Sequence, residues 1–332
     1  MTTTTNDKTE LTNLQVLRAA AALMVVLFHA MGTGRAYGFP VRGLGFLEGW
    51  GGHGVDLFFV ISGFIMVYIQ ARAARTPARF LANRVRRIVP LYWVLTLLAV
   101  AASVALPARM VNHGPADPGA IAASLAFLSQ PLYGAMPVLY LGWSLEFEML
   151  FYVVFAACIA LPSLNAAVLA ACGMVTAWAV IGNNMLPLEF ALGMVAGWLV
   201  VNRRIAVPVG GLMLAMGAAL LLATLAFKDA PLNSALVYGL PSVLLVAGCS
   251  VLRQVSRGVW TRIGDASYSI YLAQFFSVPA FYKLARALGL PADLGDLLVG
   301  ACAVATAMAG WGVYLAVERP LVLRPRRLAH GG

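Results

Sequence analysis

Charge is what this sequence has least of. Only 11% of its residues are charged, against about a quarter in a soluble domain that must wet its whole surface. With 61% hydrophobic residues and a mean hydropathy of +0.84, an ordinary soluble enzyme is excluded. Cysteine is scarce as well. Cys158, Cys172, Cys249 and Cys302 all fall inside apolar runs, with no Cys-x-x-Cys spacing, and read as small apolar packing residues rather than disulfides or metal ligands. The four histidines are scattered and no ligand pairing stands out, so no metal site is expected. There is no internal repeat, no glycine-rich dinucleotide fingerprint and no phosphate loop. The connections between apolar runs are too compact to hold a separate soluble domain.

What is present is a succession of apolar stretches, each near the roughly 20 residues needed to cross about 30 Å of hydrocarbon. They predict helices at about 12–32, 52–70, 88–107, 138–160, 164–182, 187–201, 207–227, 234–252, 266–288 and 297–317. The fold class is therefore all-α: a polytopic integral membrane protein of about ten transmembrane helices. The net charge of +10 follows membrane topology rather than nucleic acid. With the N-terminus inside, Arg18, Arg72, Arg75, Arg79, Arg84, Arg86, Arg87, Arg203, Arg204, Arg253, Arg257, Arg262, Arg319, Arg324, Arg326, Arg327 and Lys8 fall on the cytoplasmic side, as the positive-inside rule requires. Residues 1–11 are expected to be a disordered cytoplasmic N-terminus, 12–320 a single transmembrane domain and 321–332 a basic cytoplasmic tail. Met1 to Glu10 lack the basic start of a signal peptide, so the first apolar run is expected to stay as a signal-anchor helix. Gly193-x-x-x-Gly197 fits a helix-packing motif.

Ionisable residues inside spans are costly and mark function by default. Arg18 and His29 lie eleven residues apart on the first helix, on one face and about 16 Å apart along the axis, with the apolar run Ala19 to Phe28 between them. Asp56 opens the second helix after Gly51-Gly52-His53-Gly54; it is either a membrane-buried carboxylate or a first-turn carboxylate favoured by the helix dipole. His53, in the glycine-rich outer loop, reads as solvated. Arg84 and Arg87 belong to a basic cluster that anchors to anionic lipid head groups and whose planar forks also suit the phosphates of a polyanionic donor. Glu146 and Glu148 point about 200° apart on a helix, so one is expected to face the interior near His29 and the other the interface. Ser267, Tyr268, Tyr271 and Gln274 form a polar stripe of a kind that also serves plain interhelical hydrogen bonding.

Taken in order, six motifs resemble the acyltransferase 3 family of membrane-bound O-acyltransferases, and within it the ExoZ-like exopolysaccharide acetyltransferases. They are Arg18-x10-His29; Gly54-Val55-Asp56-Leu57-Phe58-Phe59-Val60-Ile61-Ser62-Gly63-Phe64; Arg84-x-x-Arg87-Ile88-x-Pro90-x-Tyr92-Trp93; Trp143-Ser144-Leu145-x-x-Glu148-x-x-Phe151-Tyr152; Ser267-Tyr268-Ser269-Ile270-Tyr271-Leu272; and Glu318-Arg319-Pro320. The resemblance covers nearly the whole chain. It implies an O-acetyltransferase of the bacterial inner membrane with both termini cytoplasmic. Such an enzyme binds no permanent cofactor: cytoplasmic acyl-CoA, in the commonest case acetyl-CoA, is its donor substrate. The acceptor is a hydroxyl of an extracytoplasmic glycan, a lipid-linked sugar or a small molecule. On this reading Arg18, Arg84 and Arg87 hold the donor, and His29 is catalytic with Glu148 or Asp56 orienting its ring. Trp143, Tyr271 and Gln274 bind substrate. The chain departs from the family at Gln274, where a histidine is frequent; glutamine hydrogen-bonds but does not titrate. A transporter or flippase of a lipid-linked sugar is the alternative reading of the same intramembrane charges, although no inverted repeat is visible.

Overall fold

A computed structural model describes residues 10–105, 117–203, 205–227 and 234–323, and among them every regular element is helical. The chain forms α1 (Thr12–Ala36), α2 (Gly54–Arg72), α3 (Pro77–Ala105), α4 (Pro118–Leu125), α5 (Ser129–Tyr133), α6 (Trp143–Cys158) and α7 (Leu164–Ile181). It continues through α8 (Pro187–Asn202), α9 (Val207–Ala223), α10 (Leu240–Val251), α11 (Val259–Asp265), α12 (Ser267–Ala287), α13 (Gly295–Val313) and α14 (Arg319–Leu323). Lys8, Arg204, Arg324, Arg326 and Arg327, with most of the expected terminal segments 1–11 and 321–332, lie outside the described residues.

Seven helical segments are long and apolar enough to cross a membrane, which makes the protein an integral membrane protein. The expected count of about ten is not reached by length and composition alone, for identifiable reasons. At 1.5 Å per residue the 16-residue α8 spans only about 24 Å, and the apolar segment Ala235–Val251 is similarly short. Helix α12 has the length, with 21 residues, but carries Gln274, Lys283, Arg286 and several hydroxyls.

One helix departs widely from its expected start, and three short helices are additional. Helix α3 begins at Pro77 rather than near 88, so Arg79, Arg84, Arg86 and Arg87 ride on the helix instead of a loop. Arg84 and Arg87, three residues apart, share its half-buried face, whereas Arg86 is exposed. Between α3 and α6, where only a loop is expected, lie the short α4 and α5. Asp117 caps α4 by accepting from the N–H groups of Gly119 and Ala120, and Pro118 occupies the first helical position, where its missing N–H costs nothing. The third addition is α11, a short helix between α10 and α12.

Helix α1 is the central post, packed against α2, α10, α11, α12 and α13. Its N-terminal start is tied down by Thr12, which donates to Val255 O at 2.6 Å, and by Asn13, which donates to Cys249 O at 3.0 Å. Helices α2 and α8 pair with their backbones close together. A Cβ on Gly63 would lie 2.2 Å from Phe190 O, and one on Gly193 2.2 Å from Val60 O. Backbone meets backbone there because neither glycine carries a side chain, the role expected of Gly193 and Gly197. This contact fixes α2, and with it Ser62 and Asp56, against the bundle.

Candidate active site

Five helices meet around a cavity of about 820 Å³, open mouth included. Helix α1 contributes Arg18; α2 contributes Phe58 and Ser62; α3 contributes Arg84 and Arg87. Ser144, Glu148 and Tyr152 come from α6, and Ser267, Tyr268 and Tyr271 from α12. Residues from all five helices, 253 positions apart at the extremes, therefore converge on one space, including Arg18, Arg84, Arg87, Glu148 and Tyr271 of the expected site.

Glu148 is held by two hydroxyls. Ser62 donates to its Oε1, and Tyr152 donates to the same oxygen at 2.5 Å. Tyr152 also presents its ring to Arg84, whose guanidinium lies 5.3 Å from the ring centroid and 5.4 Å from that of Phe80. Among the described residues none of Arg18, Arg84 and Arg87 makes an ion pair within 4 Å; Arg18 donates to Gln15 Oε1 at a long 3.3 Å. Arg84 is thus positioned by ring contacts rather than by a direct ion pair. Pro90 removes one rung of the α3 hydrogen-bond ladder, and two residues earlier the Ile88 carbonyl accepts from Tyr268 at 2.7 Å.

Arg18 and Arg87 also line a second hollow, with Gln15, Asp265, Tyr314, Glu318, Arg319 and Val322. Glu318 is buried and accepts from Ser269 at 2.5 Å. The two arginines therefore stand at the junction between the two spaces.

His29 lies off the cavity. Its Nδ1 is 3.0 Å from Val25 O and 2.9 Å from Gln274 Oε1, and its ring is flanked by Phe28 and Tyr140 at centroid distances of 5.0 and 5.7 Å. Between His29 and the cavity sits a hydrogen-bonded set. Tyr271 donates to Leu141 O at 2.8 Å, which leaves Ser144 to donate to the Tyr271 oxygen, also at 2.8 Å. Tyr271 is one helical turn from Gln274, so it closes the cavity one turn short of His29.

The remaining expected residues are placed elsewhere. Neither Glu148 nor Asp56 is hydrogen-bonded to His29. Asp56, 4% exposed in the first turn of α2, is both buried and helix-initial. Its Oδ2 pairs with His53 Nδ1 at 3.1 Å, and the His53 ring stacks on Tyr238, so His53 is a packed residue rather than the solvated one expected. The wholly buried Glu189 of α8 faces Asp56. Glu146 is buried too, accepting from the Gln130 N–H at 2.6 Å, so neither glutamate of the pair marks the interface. Trp143 packs edge-on against Phe59 and Phe147 and does not line the cavity. Gln274 is completely buried against His29.

Sequence reasoning assigned no role to Ser62, Tyr152, Ser269, Glu189 or Glu318. All but Glu189 sit inside motifs already quoted, and Glu189 carried its own signal as an acid within an apolar run.

Comparison with known proteins shows the family. The acyltransferase 3 domain, described as an acyltransferase domain, matches residues 11–316. The chain belongs to the acyltransferase 3 family. It is therefore a membrane acyltransferase of O-acetyltransferase type. It is 35% identical over 302 residues to the exopolysaccharide production protein ExoZ of Rhizobium meliloti (strain 1021), covering 83% of this chain and 91% of that protein. It is also 35% identical over 121 residues to protein 2 in the picA locus of Rhizobium radiobacter, covering 31% of this chain and 63% of that protein. No solved structure matches. In the acyltransferase 3 frame all six quoted motifs fall in or beside the matched region, and five of them supply the cavity wall.

Proposed function

We propose that this acyltransferase moves an acetyl group from cytoplasmic acetyl-CoA to a hydroxyl of an extracytoplasmic glycan in exopolysaccharide production. In this reading α8, the segment Ala235–Val251 and α12 cross the bacterial inner membrane with the seven longer helical segments, giving ten spans and two cytoplasmic termini. The observation that carries the donor assignment is the trio Arg18, Arg84 and Arg87, free of ion pairs among the described residues and facing one cavity. Guanidinium forks bind phosphates bidentately, and coenzyme A carries a diphosphate and a ribose phosphate. The glycan acceptor is supported by the similarity to the exopolysaccharide production protein.

The pantetheine arm would extend from the arginines past Tyr271 toward His29, a climb of about 16 Å for eleven helical residues. There the acceptor hydroxyl gives its proton to the imidazole while its oxygen attacks the thioester carbonyl carbon. The carbon–sulfur bond breaks, and the leaving thiolate takes the proton back, yielding an ester and free coenzyme A. Glu148 acts at the donor end, where it offsets part of the arginine charge.

The test is acetyl transfer from labelled acetyl-CoA in membranes carrying wild type, His29→Ala or Arg18→Lys, with host glycan present. Label in glycan with wild type and none with His29→Ala is the expected result. No label above the vector control, with folded protein and acceptor both present, would sink the proposal.

A further inference from the structure

We infer that Gln274 is a positioning residue that fixes His29 as the neutral tautomer protonated on Nδ1, leaving Nε2 as the base of the transfer. The inference rests on the reading of His29 as that base.

The argument is about lone pairs. Two oxygens converge on one ring nitrogen, Val25 O at 3.0 Å and Gln274 Oε1 at 2.9 Å. Val25 O is a backbone carbonyl and can only accept. Were Nδ1 bare, its lone pair would face a carbonyl lone pair at 3.0 Å. Turning the Gln274 amide so that its NH2 met a bare Nδ1 would satisfy one contact and leave that repulsion in place. With a proton on Nδ1 both contacts become favourable, as a shared hydrogen bond to two acceptors. A neutral imidazole carries one ring proton, so Nε2 then holds the free lone pair.

Gln274 suits the task because it cannot change role with pH. A titratable side chain there could donate in one state and accept in another, whereas an amide oxygen always accepts. The side chain is completely buried, so water does not compete for the contact. Its Nε2 has no hydrogen-bond partner among the described residues, so the amide is held by its oxygen alone. When the acceptor hydroxyl passes its proton to Nε2, the ring becomes cationic and its Nδ1–H still points at two oxygen dipoles. Those dipoles are in place before the charge develops, the arrangement that stabilises a transition state without reorganisation.

The test uses the full chain in lipid membranes, 15N-labelled at histidine, with His29→Asn to assign the resonances. The variants are Gln274→Glu, which keeps an oxygen at Nδ1, and Gln274→Met, which keeps the shape and removes it. Wild type is expected to show a protonated Nδ1 and a bare Nε2, Gln274→Glu the same, and Gln274→Met a mixture of tautomers. In acetyl transfer, Gln274→Met should lower kcat roughly tenfold to hundredfold, a part of the roughly 10²–10⁴-fold that a general base contributes, with the KM for acetyl-CoA unchanged. Gln274→Glu should recover most of the loss. A wild-type proton on Nε2, or a Gln274→Met variant with undiminished kcat, would overturn the assignment. So would a parallel change in KM and kcat with a lowered melting temperature, since that marks a structural role. Because the resonances report the tautomer without turnover, a correct tautomer with no acetyl transfer would instead refute His29 as the base.

Discussion

A guanidinium held against aromatic rings, with no carboxylate in ion-pair range, keeps its field directed at whatever enters the space it faces. Arg84 is the clearest case: its neighbours are the rings of Tyr152 and Phe80, which position the cation without neutralising it. A ring contact of this kind is worth about 0.5–2 kcal/mol. Tyr152→Phe keeps the ring and loses the hydroxyl to Glu148, while Tyr152→Leu loses both. We predict that Tyr152→Leu raises the KM for acetyl-CoA by up to about tenfold more than Tyr152→Phe does, measured by initial rates in proteoliposomes. Equal KM values for the two would show that the ring does not position Arg84. At Arg87 the change to lysine keeps the charge and removes the planar fork. A charge-assisted hydrogen bond contributes about 1.5–3 kcal/mol, so Arg87→Lys is expected to raise that KM roughly tenfold to hundredfold with little change in kcat. An unchanged KM would remove Arg87 from the donor site.

Helices carry these residues to one another, and the contact between α2 and α8 shows how little slack they have. A Cβ at Gly193 would meet Val60 O at 2.2 Å, whereas one at Gly173 meets nothing within 4 Å. Overpacking typically costs about 1–3 kcal/mol. Gly193→Ala is therefore expected to lower the thermal midpoint in detergent and, by shifting Ser62 away from Glu148, to lower activity. Gly173→Ala should change neither; equal midpoints for the two would contradict the close approach. Much of this was legible beforehand. Gly193-x-x-x-Gly197 announced close packing, hydropathy marked the long helices, and the donor reading grouped Arg18, Arg84 and Arg87. The partner of His29 was not legible, because spacing along α1 and α6 cannot say which of two distant helices presents a hydrogen-bond acceptor. Glu148 was the expected partner by charge, and Gln274 is the one hydrogen-bonded to it. The short helices at 118–133 were missed because a search for 20-residue runs cannot find them, although Asp117 before Pro118 is a helix-start signal.

At the scale of the whole molecule, the arginine cavity stops short of His29, with the Tyr271, Ser144 and Leu141 hydrogen bonds between them. Such a partition keeps water on the donor side from reaching the base, and an enzyme that must not hydrolyse its own thioester gains from that. Tyr271→Ala removes the partition while leaving Arg18, Arg84, Arg87 and His29 in place. The expected outcome is uncoupling: acetyl-CoA is hydrolysed without glycan acceptor, read as free thiol released, and transfer to glycan falls. Loss of transfer with no thiol release would mean that Tyr271 contributes to binding rather than to exclusion. The same arrangement fixes the orientation of the chain. Ala73 after α2 and Ala292 before α13 are both exposed, at opposite ends of the bundle in the ten-span arrangement, and three of the four native cysteines are buried. A membrane-impermeant thiol reagent applied to intact cells should therefore label Ala292→Cys and leave Ala73→Cys untouched until the membrane is opened. The opposite pattern would turn the molecule over, setting the arginines toward the outside, where no acyl-CoA is supplied, and would end the donor assignment.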